Sequence, residues 1–95
     1  MFIINITYKA PLERVDQFLE AHIAYLDTQY AAGIFLASGK KVPRTGGIIL
    51  AKGKNREAIE NIVRLDPFYS NNLAQYKITE FIPSKAIDAL QFLNE

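Results

Sequence analysis

The fold of this chain is constrained most by the order of its secondary-structure patterns. Stretches with the periodicity of a strand alternate along the chain with stretches that have the periodicity of a helix. Phe2–Tyr8 alternates between two faces and is rich in β-branched and aromatic residues, which predicts a strand. Leu12–Ala32 carries apolar residues at spacings of three and four, which predicts one long helix that ends before Gly33. The apolar stripe predicted on this helix consists of Val15, Phe18, Leu19, Ile23, Leu26 and Tyr30.

The middle of the chain predicts a hairpin and a second helix. Two short apolar runs, Ile34–Ser38 and Ile48–Ala51, flank a basic loop, Lys40–Gly47, that contains one proline and two glycines. Short strands joined in this way are typical of an antiparallel hairpin. Asn55 is a suitable N-cap for a helix that runs to about Leu65.

The last third predicts one more strand and a terminal helix. Asp66 ends the second helix, because the residue before a proline disfavours the α conformation. Phe68–Asn72 is predicted as a loop or short turn, and Ala74–Ile82 as the last strand. Ser84 is a candidate cap for a short C-terminal helix.

The resulting order, β-α-β-β-α-β plus a C-terminal helix, is that of a ferredoxin-like α+β sandwich. We expect an antiparallel four-stranded sheet with both main helices on one face. The 95 residues make a single domain, with a core of residues 1–83 and a C-terminal helix of residues 84–95. The uncovered sheet face would carry Ile3, Ile49 and Phe81, and such an apolar patch predicts a homodimer that pairs through this face.

Composition excludes several classes of function. The chain has no cysteine, which removes disulfides, thiolate metal sites and thiol nucleophiles. Its 11 basic and 10 acidic side chains give a net charge of +1, too small for a broad nucleic-acid-binding face or a polybasic membrane anchor. No apolar run approaches the roughly 18 residues of a membrane-spanning helix, and the first residues lack the features of a signal peptide. We therefore expect a cytoplasmic domain with neither nucleic acid nor membrane as a partner.

His22 is the only histidine, and its spacing to the apolar stripe places it on the helix face that meets the sheet. One interpretation is a core histidine tied to a carbonyl or hydroxyl group. The other is a general acid or base, because histidine titrates near neutral pH. One histidine without cysteine makes a poor metal site, so we predict no metal.

Asp66 also has two interpretations. It is either a turn-forming aspartate before Pro67 or, if the two main helices pack side by side, a partner for His22. A carboxylate that accepts a hydrogen bond from one imidazole nitrogen would fix the tautomer and favour the protonated ring.

The hairpin contributes the remaining candidates. Ser38 is either an ordinary strand-end hydroxyl or a group that binds a ligand or orients the histidine; no Gly-x-Ser-x-Gly elbow surrounds it. Arg44 is either a solvated loop residue or a ligand for a carboxylate or phenolate oxygen. Gly46 and Gly47 form no phosphate-binding motif, so we predict no cofactor.

Several short motifs, in this order on this frame, resemble the YciI-like proteins, a family defined by a YCII-related domain, over roughly residues 1 to 83. The motifs are Ala21-His22-Ile23-Ala24-Tyr25-Leu26, Gly33-Ile34-Phe35-Leu36-Ala37-Ser38-Gly39, Pro43-Arg44-Thr45-Gly46-Gly47 and Asp66-Pro67-Phe68. The resemblance implies a dimeric α+β barrel with a His–Asp pair in a pocket, at His22 and Asp66. It also implies that Ser38, the loop of residues 44–47 and Phe68 lie beside that pocket. The wider group includes proteins similar to muconolactone isomerase and a dechlorinating enzyme.

Two functional hypotheses follow. In the first, the protein is a cofactor-independent enzyme in which His22 moves a proton on a cyclic or aromatic oxygenated substrate, with Asp66 orienting the ring. Arg44 or the amides of Gly46 and Gly47 would then steady negative charge on oxygen. Isomerisation, lactone chemistry or elimination of a halide would each suit a single acid–base group. In the second, the same pocket belongs to a non-catalytic ligand-binding or accessory dimer.

Overall fold

The computed structural model describes residues 1–94 and confirms an α+β fold built on one antiparallel sheet. In chain order the elements are β1 Phe2–Tyr8, α1 Leu12–Gln17, α2 Leu19–Ala31, β2 Phe35–Lys40, β3 Gly46–Ala51, α3 Arg56–Val63, α4 Pro67–Ser70, β4 Ala74–Glu80 and a 3₁₀ helix Asp88–Asn94. The strands lie in the order β2-β3-β1-β4, and every neighbouring pair is antiparallel.

The core forms where the inward face of the sheet meets the helices. Alternate residues of β1 point inward because side chains along a strand alternate between its two faces. The helices cover this face with side chains from α1, α2, α3 and α4. The core residues that each lie below one tenth exposed include Phe2, Ile4, Ile6, Val15, Tyr25, Ile59, Val63 and Phe68.

The predicted long helix is interrupted at Phe18, whose φ of −109° and ψ of 6° end α1 and begin α2. The predicted stripe is also partly wrong, since Ile23 and Tyr30 are 48% and 38% exposed. Tyr25 and Gln29 are the buried side chains of α2 instead. Tyr25 can be buried because its hydroxyl donates a hydrogen bond to the carbonyl oxygen of Ile62, 2.9 Å away.

The hairpin strands are longer than predicted, and one face assignment is wrong. Lys40 belongs to β2, and β3 begins at Gly46, so the connecting loop is shorter than Lys40–Gly47. Ile49, predicted on the uncovered face, is 3% exposed because it pairs opposite Ile4, and opposite residues point to the same side of a sheet. The uncovered face carries Ile3, as predicted, together with Ile48 and Leu50.

The structure also revises the ends of the last elements. Phe68–Asn72, predicted as a loop or short turn, begins within α4, a single helical turn. The strand β4 stops at Glu80, so Phe81 lies beyond the sheet and is 39% exposed. Ser84 does not cap a helix, because the terminal helix is 3₁₀ and starts at Asp88. Glu95, the last residue of the predicted helix, lies outside the described residues.

Candidate functional site

A buried carboxylate stands at the centre of the candidate site. Asp66 follows α3 and takes an extended conformation before Pro67, and its side chain caps α4. Its Oδ1 accepts a hydrogen bond from the backbone N–H of Phe68 at 3.0 Å, as an N-cap aspartate does. Asp66 is 0% exposed, which is rare for a carboxylate that lacks charged or hydrogen-bonding partners. The turn-forming role is therefore real, but it does not account for the burial by itself.

His22 is a partner that helps to make this burial possible. Its Nδ1 lies 2.7 Å from Oδ1 of Asp66, so the predicted contact between the two side chains is present. The ring stacks on Phe68 with a centroid separation of 4.0 Å and an interplanar angle of 5°. Because the carboxylate accepts, Nδ1 carries the proton, and the neutral ring keeps its lone pair on Nε2. The backbone turn at Asp66 thus presents both the carboxylate and the stacking ring to His22.

A third group, Tyr76, completes the surroundings of the carboxylate. Its hydroxyl donates to Oδ2 of Asp66 at 2.5 Å. Burial, together with the negative charge of Asp66, raises the pKa of Tyr76 far above its usual range, so this phenol stays a donor. The sequence analysis did not single out Tyr76, which lies within the predicted last strand. A tyrosine at a core position, whose hydroxyl needs a partner, was the available signal.

A cavity of about 370 Å³ lies in front of His22, between α2 and the sheet. Six of the seven predicted site residues line it, namely His22, Ser38, Arg44, Gly46, Gly47 and Phe68. Asp66 is the exception, since it lies behind the imidazole and reaches the cavity only through it. Leu19, Ile23 and Leu26 form an apolar wall of the cavity, and Leu19 and Leu26 also pack against the core. Within residues 1–94, Nε2 of His22 makes no hydrogen bond.

Two polar predicted residues of the cavity have partners other than His22. The hydroxyl of Ser38 lies 2.7 Å from the hydroxyl of Tyr30, so Ser38 does not orient the imidazole. Nη2 of Arg44 donates to Oδ1 of Asp16 at 2.6 Å, and the guanidinium lies 5.8 Å from the ring centroid of Tyr8. The hydrogen bond from Arg44 to Asp16 raises the pKa of Arg44, which is charged at any physiological pH.

Two of the three glycines that line the cavity, Gly46 and Gly47, lie where strands approach closely. A Cβ atom at Gly46 would lie 1.8 Å from the carbonyl oxygen of Ile6, a distance that no side chain can occupy. At Gly47 it would lie 3.0 Å from the carbonyl oxygen of Gly39. Gly46 therefore lets β3 lie close to β1, and Gly47 lets it lie close to β2.

Two general features of the described part of the chain bear on the type of site. Among residues 1–94, no three histidine, aspartate or glutamate side chains cluster as metal ligands would. No helix within that range has the length and hydropathy needed to cross a membrane.

Comparison with known proteins identifies the family. The model of the YCII-related domain matches residues 1–82. This chain belongs to the YCII-related domain family. No curated protein matches this YCII-related domain. A similar solved structure is the 5-chloro-2-hydroxyhydroquinone dehydrochlorinase of Burkholderia phenoliruptrix AC1100, in complex with 2,5-dihydroxybenzoquinone. The two chains are 18% identical and superpose with a TM-score of 0.71, over 85% of this chain and 93% of the other. At this identity, the similarity supports the fold.

Proposed function

We propose that this YCII-related domain is an enzyme in which His22 transfers a proton on a cyclic or aromatic oxygenated small molecule, without a cofactor. The observation that carries the proposal is the 2.7 Å contact between Nδ1 of His22 and a fully buried Asp66, beside a cavity that His22 lines. A histidine serving only as packing does not need a buried carboxylate behind it.

In the proposed chemistry the two ring nitrogens of His22 have different roles. Nε2 takes a proton from a C–H or O–H group of the ligand, and the electron pair left behind moves onto a ligand oxygen or expels a leaving group. Asp66 stabilises the imidazolium that forms, as Nδ1–H continues to donate to Oδ1. Return of the proton at another ligand atom completes an isomerisation, whereas release to water completes an elimination. A positioned acid–base group of this kind typically contributes about 10²- to 10⁴-fold in rate.

Arg44 is proposed to bind the oxygen on which negative charge develops. Its guanidinium has five N–H donors, and the hydrogen bond to Asp16 uses one on Nη2, so further donors remain for a ligand. The hydroxyl pair of Ser38 and Tyr30 supplies a further hydrogen-bonding group at the cavity wall. Phe68, stacked on His22, offers its ring as part of the cavity lining.

The similar structure guides the choice of test compounds. The Burkholderia protein is described as acting on a chlorinated hydroxyhydroquinone and was solved with 2,5-dihydroxybenzoquinone. We propose hydroxylated quinones, hydroquinones and unsaturated lactones as the first compounds to screen. Each has an acidic proton next to a conjugated oxygen, which is what the cavity of this protein would need.

The decisive experiment measures proton exchange, because exchange reports acid–base chemistry even when no net product forms. The compounds are incubated with protein in deuterated buffer, and incorporation of deuterium is followed by NMR for the wild type and for His22→Gln. We expect His22→Gln to lose at least about 100-fold in exchange rate while keeping its circular dichroism spectrum. Lys41→Gln, which changes a residue outside the cavity lining, serves as the control. A folded His22→Gln protein that keeps its rate would contradict the proposal, and saturable binding without exchange would favour the non-catalytic alternative.

We also propose that two copies pair through the uncovered sheet face. Ile3, Ile48 and Leu50 make this face apolar, and the Oδ1 atom of Asn5 on the same face is buried without a hydrogen-bond partner. Ile48→Lys should convert a dimer to a monomer in size-exclusion chromatography with light scattering. Ile82→Lys, at an 88% exposed position beyond β4, is the matched control. A wild-type monomer would refute the pairing.

A further inference from the structure

We infer that the ligand of the cavity is an anion and that its negative group binds Lys40. The inference rests on the proposed function for the choice of cavity, but it concerns recognition and can be tested without turnover. It follows from which charges line the cavity and which of them already have partners.

The charged side chains that line the cavity are cationic. Lys40 and Arg44 line it together with His22, and no aspartate or glutamate is among the lining residues. The carboxylates of Asp16 and Asp66 already have partners. Asp16 accepts a hydrogen bond from Arg44, and Asp66, which lies behind the imidazole, accepts from three donors that include the imidazole itself. A ligand that carries a negative charge therefore meets no free carboxylate in the lining.

Lys40 is the cation of this lining whose charge is not compensated. Arg44 is paired with Asp16, whereas the side chain of Lys40 forms no hydrogen bond or ion pair within residues 1–94. The backbone explains its position, since Lys40 ends β2 and pairs opposite Gly47, which also lines the cavity. An anion in the cavity would gain a charge-assisted contact with Lys40 that displaces no existing partner.

The neighbouring lysine provides a built-in comparison. The ammonium group of Lys41 donates to Oγ1 of Thr7 at 3.2 Å, and Lys41 does not line the cavity. The two residues have the same formal charge and adjacent places in the sequence. Any effect that depends only on the net charge of the protein will therefore be the same for Lys40→Gln and Lys41→Gln.

The combined arrangement also orients the ligand. His22, on α2, requires a group that can give up a proton, and Lys40, on β2, requires a negative group. The compounds that satisfy both requirements have one or two rings and a negative group, which is a carboxylate or an ionised enol or phenol. They also have an acidic C–H or O–H group. The apolar wall of Leu19, Ile23 and Leu26 accommodates the ring itself.

The test compares two compounds that differ in charge and little in shape, 2,5-dihydroxybenzoate and 2,5-dihydroxybenzamide. Their dissociation constants are measured by calorimetry for the wild type, Lys40→Gln and Lys41→Gln, at low and at high salt. We expect the wild type to prefer the carboxylate by at least about 5-fold, and Lys40→Gln to lose most of that preference. Lys41→Gln should keep it, and high salt should weaken carboxylate binding in the wild type.

Three results would overturn the inference. The inference is overturned if the amide binds as tightly as the carboxylate, or if the two lysine variants lose affinity equally. It is also overturned if neither 2,5-dihydroxybenzoate nor 2,5-dihydroxybenzoquinone binds at millimolar concentration. Failure of the proposed function gives a different result, namely a charge preference that depends on Lys40 without any proton exchange. The two ideas can thus fail separately.

Discussion

Removal of one hydroxyl group tests the structure of the candidate site most directly. In Tyr76→Phe, Oδ2 of Asp66 loses the donor that lies 2.5 Å away, while the ring that packs in the core remains. Hydrogen bonds to charged groups contribute about 1.5–3 kcal/mol, and the carboxylate here is 0% exposed. We expect the free energy of unfolding to fall by that amount, because the deprived oxygen has poor access to water.

Tyr25→Phe is the matched control for this experiment. Tyr25 is also buried and also donates one hydrogen bond, but its acceptor is the neutral carbonyl oxygen of Ile62 at 2.9 Å. Its removal should cost about 0.5–1.5 kcal/mol. Urea unfolding followed by circular dichroism at pH 7 measures both variants, and equal slopes show that the comparison is valid. The reasoning is refuted if Tyr76→Phe costs no more than Tyr25→Phe, or if its cost is the same in an Asp66→Asn background.

The same two tyrosines make stability fall in alkaline solution. Burial raises the pKa of both Tyr25 and Tyr76 well above the value of about 10 in an unfolded chain. Above that pH the unfolded chain loses protons that the folded chain retains, so the free energy of unfolding decreases as pH rises. Each tyrosine contributes at most about 1.4 kcal/mol per pH unit. Urea titrations between pH 9 and 11 should give a shallower decrease for Tyr76→Phe, and an unchanged decrease would contradict the assignment.

Two further predictions concern the backbone and the imidazole. Gly46→Ala should cost more than about 3 kcal/mol in unfolding free energy, because its Cβ would lie 1.8 Å from a β1 carbonyl oxygen. At Gly39, where a Cβ meets nothing within 4 Å, the same change should cost far less. Similar losses of stability at both positions would refute the explanation by close approach of the strands. In Asp66→Asn the neutral ring of His22 should lose its preference for a proton on Nδ1, as read from ¹⁵N NMR at pH 9. An unchanged tautomer would show that the carboxylate does not select it.

Local patterns in the sequence were sufficient for much of the fold. The period of two in Phe2–Tyr8 predicts β1 with its bounds, and the N-cap at Asn55 places the start of α3, where its side chain accepts from the backbone of Ala58. The order of these elements predicts the α+β sheet. Each of these signals lies within a few residues of the chain, and a single sequence contains it completely.

Local patterns could not predict which face of the sheet carries Ile49 or which side of α2 is buried. A strand has two faces, and its neighbour decides which one is inward; here the pairing of Ile49 with Ile4 places it in the core. On α2 the deciding fact is that Tyr25 finds an acceptor at Ile62, on another helix. Both outcomes depend on contacts between distant parts of the chain.

The same distinction between local patterns and long-range contacts applies to the candidate site. The sequence by itself determined that His22 would lie on an inward helix face and that Asp66 would stand at a turn before Pro67, since spacing and proline geometry act locally. Only the tertiary structure decided that the two side chains meet and that Tyr76 holds the other carboxylate oxygen. These contacts span 44 and 10 residues, and burial of a charge is permitted only where all of its donors converge in space.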